Sequence, residues 1–325
     1  MLVAVSGTKY SGADLVVKLL VEKHGFELLD YQKPAIEILN YATENYRNNL
    51  VILCETLELL VTLEKRTFFV HLSVDASVGV RLKRAQEFTN NYNGENDDSH
   101  ITNEIDKLIM LLDEHDFNSE SIELREKSHF KLKIVGNTLT TLEGRLNKAL
   151  EKQIIVFENK KFDNPEESNP PLRPDWDTYF MRLATLAASR SNCMKRRVGC
   201  VIVRDFRVIA TGYNGTPRHL TNCFNGGCSR CNQGDSRNLH TCLCLHAEEN
   251  ALLEAGRDRV GSNATLYCDT CPCLTCSVKI VQTGITEVVY SQSYSMDEES
   301  FKVLKAGGVK VRQFSFIQEP RIIIV

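Results

Sequence analysis

Long apolar runs are missing from this 325-residue chain. None approaches the ~20 residues that a membrane-spanning helix needs, and the opening MLVAVSG is too short and uncharged for a secretory signal, so a soluble, cytoplasmic protein is expected. A charge excess is missing too: 39 basic side chains face 42 acidic ones, for a net charge of -3. That balance excludes the strong positive field of a dedicated nucleic-acid binder, and 42% hydrophobic residues exclude a disordered chain. Internal repeats are absent, and cysteine is almost absent from the first half, where Cys54 stands alone. The other eleven of the twelve cysteines fall between Cys193 and Cys276. Clustering of that kind in a cytosolic chain points to metal rather than to disulfides.

The length is about twice that of a typical domain, so two domains are expected. Proline marks the join. Four of the eight prolines lie among acidic and polar residues in FENKKFDNPEESNPPLRPD, residues 157–175, the composition of an exposed linker. The expected division is a first domain at 1–156, a linker at 157–173 and a second domain at 174–325. In the first, LVAVSG (Leu2 to Gly7), TFFVHLSVDA (Thr67 to Ala76) and KLKIV (Lys131 to Val135) read as strands separated by helical stretches, which implies a parallel α/β sheet. In the second, a helix from Trp176 to Ser189, capped by Asp175, buries Phe180, Leu183 and Ala187. The segments VGCVIV and VIATGYNG read as a hairpin, and LHAEENALLEAG as a helix closed by Gly256. Strand ATLYCD, helix CLTCSVKIVQTG and strands TEVVYS and VKVRQF follow. The terminal RIIIV is apolar enough for an added strand whose place is not readable.

The chemistry concentrates where two of these helices start. His246-Ala-Glu248 opens one, and Pro272-Cys273-Leu-Thr-Cys276 opens the next but one element. Three metal donors with a carboxylate beside them specify an open catalytic zinc, because structural zinc sites usually close with four protein ligands. Glu248, two residues after His246, is placed to carry protons rather than to bind the metal. A second concentration, Cys223, Cys228 and Cys231 followed by His240, Cys242 and Cys244, has a density that packing does not require.

With these motifs in hand, the chain resembles the zinc-dependent cytidine and deoxycytidylate (dCMP) deaminase superfamily, whose H-x-E and P-C-x-x-C signature it carries. SNCMKRRVGCVIV, ATGYNGTPR, HAEENALL and the PCLTC helix stand in the order found in dCMP deaminases, and the two-part chain is similar to the fungal ones. The resemblance implies a cytidine-deaminase-like three-layer α/β/α domain with a mixed sheet. It implies hydrolysis of dCMP to dUMP and ammonia by a zinc-activated water attacking C4, with His246, Cys273 and Cys276 as ligands and Glu248 as proton shuttle. By motif position it places Asn214 on the deoxyribose. Arg218 or Arg257 are candidates for the 5′-phosphate, which a charged fork would bind. It further implies a second, structural zinc on Cys193, Cys223 and His240, with Cys228 favoured as fourth ligand and Cys231 in reserve. Activation by dCTP, inhibition by dTTP and a homohexamer belong to the same implication, as does supply of dUMP for dTTP synthesis. No membrane or nucleic-acid partner is expected.

SGTKYSGAD (Ser6 to Asp14) follows a strand and precedes a helix, with Gly7 and Gly12 at the glycine positions of a P-loop. Ala13 and Asp14 replace its lysine and hydroxyl residue, and Asp14 would repel phosphate. The expectation is a degenerate P-loop-kinase-like domain, similar to small nucleotide or dephospho-coenzyme A kinases, in which Lys9 is the only local cation. Two rival functions remain open at this point. One is a deaminase acting on a base in RNA or DNA, with Lys195, Arg196 and Arg197 as a basic patch. The other is a non-catalytic zinc-binding interaction module, which the unligated Glu248 opposes.

Overall fold

The computed structural model describes residues 1–90, 98–136, 139–155, 170–234, 241–293, 298–316 and 321–325. Contacts divide it into two compact units, Met1–Arg173 with Ile317–Val325, and Pro174–Phe316. Most of the expected linker, 157–169, lies outside the described residues.

In the first unit, apolar runs bounded by charged helices become a six-stranded sheet in which every pairing is parallel. Its strands are β1 (Leu2–Gly7), β2 (Glu27–Leu28), β3 (Leu50–Leu53), β4 (Phe69–Ala76), β5 (Phe130–Ile134) and β11 (Arg321–Ile324), in the order β11-β5-β4-β1-β3-β2. Alternate side chains of β1 serve two cores: Val3 and Val5 pack on one face, Leu2 and Ala4 on the other, as a sheet buried on both sides requires. Helix α1 (Ala13–His24) starts at Gly12, whose φ of 94° demands glycine. The Arg84 guanidinium donates to the carbonyls of Tyr10 and Ser11 in the same loop. Arg125 and His115 also line the adjoining cavity of about 450 Å³, so Lys9 is not the only cation there, contrary to the reading of the sequence.

The expected end of the second domain at residue 325 is corrected. RIIIV forms β11, which pairs with β5 through Ile322↔Lys131 and Ile323↔Leu132, and the Val135 amide donates to the Val325 carbonyl at 2.7 Å. An apolar strand with unsatisfied backbone groups is stabilised by the open edge of a parallel sheet, and that edge belongs to the first unit.

The second unit has the mixed sheet β10-β9-β8-β6-β7. Strands β6 (Gly199–Arg204) and β7 (Arg207–Tyr213) form the expected hairpin. Strand β8 (Ala264–Thr270) is antiparallel to β6 and parallel to β9 (Ile285–Gln292), which is parallel to β10 (Lys310–Gln313). Let α2 denote Trp176–Ala188, α3 Ala247–Val260, α4 Leu274–Thr283 and α5 Glu298–Ala306. Period-two alternation sends Cys200, Ile202, Leu266 and Cys268 toward α3 and α4, and Val201, Val203 and Tyr267 toward α2. The result is the expected three layers, α/β/α. Asp175 caps α2 by accepting from the Thr178 amide. The helix buries Phe180, Met181, Ala184 and Ala188, a face turned slightly from the one the sequence suggests.

Two glycines let helices lie directly on the sheet. A Cβ at Gly199 would stand 1.9 Å from the Ala184 carbonyl oxygen of α2, and one at Gly212 would stand 2.1 Å from that of Ala247 in α3. As expected, α3 breaks at Gly256, where the backbone leaves helical geometry with φ of 66°, and a further short turn carries the chain to Val260. Among the described residues, no helix is long and apolar enough to cross a membrane.

Candidate active site

The residues expected to carry the chemistry sit at two helix starts. His246 is the N-cap of α3 and Cys273 the N-cap of α4, both in extended backbone conformation. The His246 amide donates to Glu249 Oε2 at 3.0 Å, and Glu249 is ion-paired with Lys279 of α4, which locks one helix start against the other helix. His246 Nδ1 lies 3.4 Å from Cys273 Sγ and 3.4 Å from Cys276 Sγ. A tetrahedral zinc with bonds of ~2.3 Å to sulfur and ~2.0 Å to nitrogen spaces such donors about 3.5 Å apart. The donor types and their spacing therefore fit that metal. Among the described residues, no fourth side-chain donor joins the three.

Electrostatics favour the ligating form at Cys273, while the Cys276 thiol is pushed up by its hydrogen bond to Cys273 and by burial, and His246 is raised by its hydrogen bond to Cys273. The Cys273 thiol is pulled down to about 4 by its hydrogen bonds to Cys276 and His246 and by a backbone amide of the helix start, where the dipole also favours thiolate. Glu248, second residue of α3, is only 4% exposed. Burial pushes its carboxyl up to about 7, with His246 acting in the opposite direction. Asp269 at the end of β8 is pushed up to about 6, also by burial, while accepting from the Gly199 amide.

The loop after β7 closes on this centre. Gly215 and Leu245 exchange backbone hydrogen bonds at 3.2 and 2.8 Å, which ties the GYNG turn to the residue before His246. Both ends of the Asn214 amide are engaged: Oδ1 accepts from the Val198 amide and Nδ2 donates to the Arg196 carbonyl, each at 2.8 Å. Each atom keeps one further hydrogen-bonding position.

Comparison with known proteins follows this geometry. The family model described as the cytidine and deoxycytidylate deaminase zinc-binding region matches residues 174–292. The deoxycytidylate deaminase of Saccharomyces cerevisiae is 61% identical over 325 residues, covering 100% of both chains. That of Schizosaccharomyces pombe is 43% identical, covering 96% of this chain and 97% of its own. The chain belongs to the deoxycytidylate deaminase family. A solved dCMP deaminase from cyanophage S-TIM5, in complex with dCMP and dUMP, is 31% identical, covering 44% of this chain and 99% of its own, with a TM-score of 0.37.

The remaining expected site residues of this deaminase fall in different places. Arg218 is exposed and lines a cleft of about 910 Å³ with Asn192, Tyr213, Gly215, Asn222 and Asn250. Arg257 is exposed near the far end of α3. At 1.5 Å per residue the eight residues from Glu248 to Gly256 already span about 12 Å along the axis, and Arg257 follows the break at Gly256, so this helix does not bring it to the centre. For the second metal, the expected Cys193 and Cys223 do come together, with the reserve ligand Cys231 rather than the favoured Cys228. Cys193 and Cys223 meet Cys231 and Cys244, whereas Cys228 groups with Cys231, Cys242 and Cys244; His240 lies outside the described residues. Cys242 and Cys244 carry no assignment from the sequence; their C-x-C spacing directly before the H-x-E helix is the one signal that marks them.

Proposed function

We propose that this deaminase converts dCMP to dUMP and ammonia at the His246, Cys273, Cys276 centre. The observation that carries this reading is a three-donor site with Glu248 buried beside it, and the names of the two full-length relatives support the substrate. A zinc ion held by the three donors supplies Lewis acidity, which lowers the pKa of water from ~15.7 to about 7. Glu248 moves the protons. It takes one from the attacking water and passes it to N3 of the cytosine ring; it then assists protonation of the exocyclic nitrogen, which leaves C4 as ammonia while C4 keeps the oxygen. A buried carboxyl can alternate between its two forms near neutral pH, and a dication beside it offsets the upward push of burial. Asn214, with one free position on each amide atom, meets the deoxyribose, and Arg218 is the remaining candidate for the 5′-phosphate.

The dUMP formed supplies dTTP synthesis, and the enzyme acts in the cytoplasm as a homo-oligomer activated by dCTP and inhibited by dTTP. Ammonia release from cytidine, deoxycytidine, dCMP, dCTP and a single-stranded oligonucleotide tests the substrate: dCMP is the preferred one, and preference for the oligonucleotide overturns the reading. Activity against dCMP should be sigmoidal and become hyperbolic with dCTP, and a hyperbolic curve indifferent to either nucleotide refutes the regulation.

A further inference from the structure

Six cysteines outside the expected catalytic centre form a largely buried cluster with no other hydrophobic residue in it among the described residues. Cys223, Cys228, Cys231 and Cys244 are its buried members, and Cys193 and Cys242 pack against them. A filler role for cysteine places single thiols among aliphatic side chains, which is not the case here. Disulfides do not account for it either. The sulfurs stand 3.9 Å apart for Cys193 and Cys231, 3.7 Å for Cys231 and Cys242, and 3.9 Å for Cys231 and Cys244 and for Cys228 and Cys242, against ~2.05 Å for an S–S bond. They match the ~3.8 Å between thiolates on one tetrahedral zinc with ~2.3 Å bonds.

The grouping is more specific than one site. Cys193, Cys223, Cys231 and Cys244 have all their sulfurs within 4.8 Å of one another, and so do Cys228, Cys231, Cys242 and Cys244. Each group has the four donors a closed zinc site requires, and the two share Cys231 and Cys244. Filling either group with one ion would leave two thiols of the other, one buried and one partly buried, beside thiolates. We infer that the six cysteines hold two zinc ions in a single cluster, with the thiolates of Cys231 and Cys244 bridging them.

The local backbone is arranged for it. The Met194 amide donates to Cys223 Sγ at 3.4 Å, amides of Lys195 and Arg196 face Cys193, and those of Cys231 and Leu243 face Cys228. Such N–H···S contacts stabilise thiolates. Asn232 holds the loop in register: its Nδ2 donates to the Cys223 carbonyl and its Oδ1 accepts from the Cys228 amide. Loading releases six thiol protons and leaves six negative charges against four positive ones. The ions would hold Cys242 and Cys244 in place directly before Leu245, which is paired with Gly215 ahead of α3.

Metal analysis of the full-length protein tests this. Three zinc ions per chain are expected, one catalytic and two in the cluster; two per chain, or iron in the cluster, overturns the inference. In the protein loaded with cadmium-113, NMR should give three resonances, two of them scalar-coupled through shared sulfur, and three uncoupled resonances overturn it even at the expected stoichiometry. Cys231→Ser should lower the content by two ions and Cys242→Ser by one. His240→Ala should retain all three, and loss of an ion there overturns the six-thiolate ligand set. Ammonia release from dCMP is measured in parallel, so failure of the cluster is distinguishable from failure of the catalytic reading.

Discussion

Gly212→Ala examines whether the close approach of β7 to α3 is what sets the catalytic geometry. The added methyl would stand 2.1 Å from the Ala247 carbonyl oxygen and 2.5 Å from the Ala251 amide nitrogen. An ordinary carbon–oxygen contact is ~3.3 Å, so the start of α3 must move by about 1 Å. Ala247 lies between His246 and Glu248, and the movement is delivered to both. Overpacking of this kind costs about 1–3 kcal/mol, and a ~1 Å displacement of catalytic groups costs on the order of 100-fold in rate. Gly199→Ala is the control. Its methyl meets the Ala184 carbonyl at 1.9 Å, but in α2 on the opposite face, so a comparable loss of stability should leave most of the turnover. Thermal unfolding and kcat/KM for dCMP are the two readouts. Wild-type stability and rate in Gly212→Ala would refute the packing argument. An equal catalytic loss in Gly199→Ala would refute its assignment to α3.

Other outcomes follow from groups away from the centre. His71 is fully buried, bonded to Ser6 Oγ through Nε2 at 2.9 Å, and held neutral with its pKa lowered to about 3 by burial and by His129. The unfolded chain binds that proton below ~6.5 and the folded one does not, so stability of the first unit should fall on acidification from about pH 6.5 toward pH 3, by up to about 1.4 kcal/mol per pH unit. Urea unfolding at pH 7 and pH 5 measures it, and His71→Gln should flatten the dependence. Asp177→Ala removes the paired hydrogen bonds from Arg312, at 2.6 and 2.7 Å, and strands the Tyr267 hydroxyl; a loss of about 1–2 kcal/mol is expected in denaturant unfolding of this partly exposed pair. Asn214→Ala leaves the Val198 amide and the Arg196 carbonyl without their side-chain partner, at a cost of about 1–3 kcal/mol, seen as a lower melting temperature without substrate.

What was legible in the sequence was local. His246 with Glu248, and Cys273 with Cys276, are pairs within single helical turns, and the deaminase resemblance, not spacing alone, joined the two pairs into one expected site. The hairpin and the helix at Trp176 were equally readable from period and caps. The six-cysteine cluster was not, because its partners are separated by up to 51 residues, Cys193 to Cys244, and which thiols converge depends on turns such as the one at Gly227, where a Cβ would stand 1.7 Å from the Thr221 carbonyl. RIIIV was readable as a strand, but its partner β5 lies nearly two hundred residues earlier, and no local signal names a sheet edge. The short β2 and β3 escaped notice because Glu27–Leu28 has no pattern to read and Leu50–Leu53 is a brief apolar run between charged helices. Arg257 was drawn to the site by its nearness in sequence to the motif, while about two turns of helix and the break at Gly256 carry it away.

The central claim is that Glu248 moves protons and does not hold the metal. Zinc content and ammonia release from dCMP, measured together on Glu248→Gln, test it most directly. The account predicts an unchanged catalytic zinc with turnover reduced by roughly 10²–10⁴-fold or more. Turnover within a few-fold of wild type, or loss of that zinc with the substitution, would contradict it.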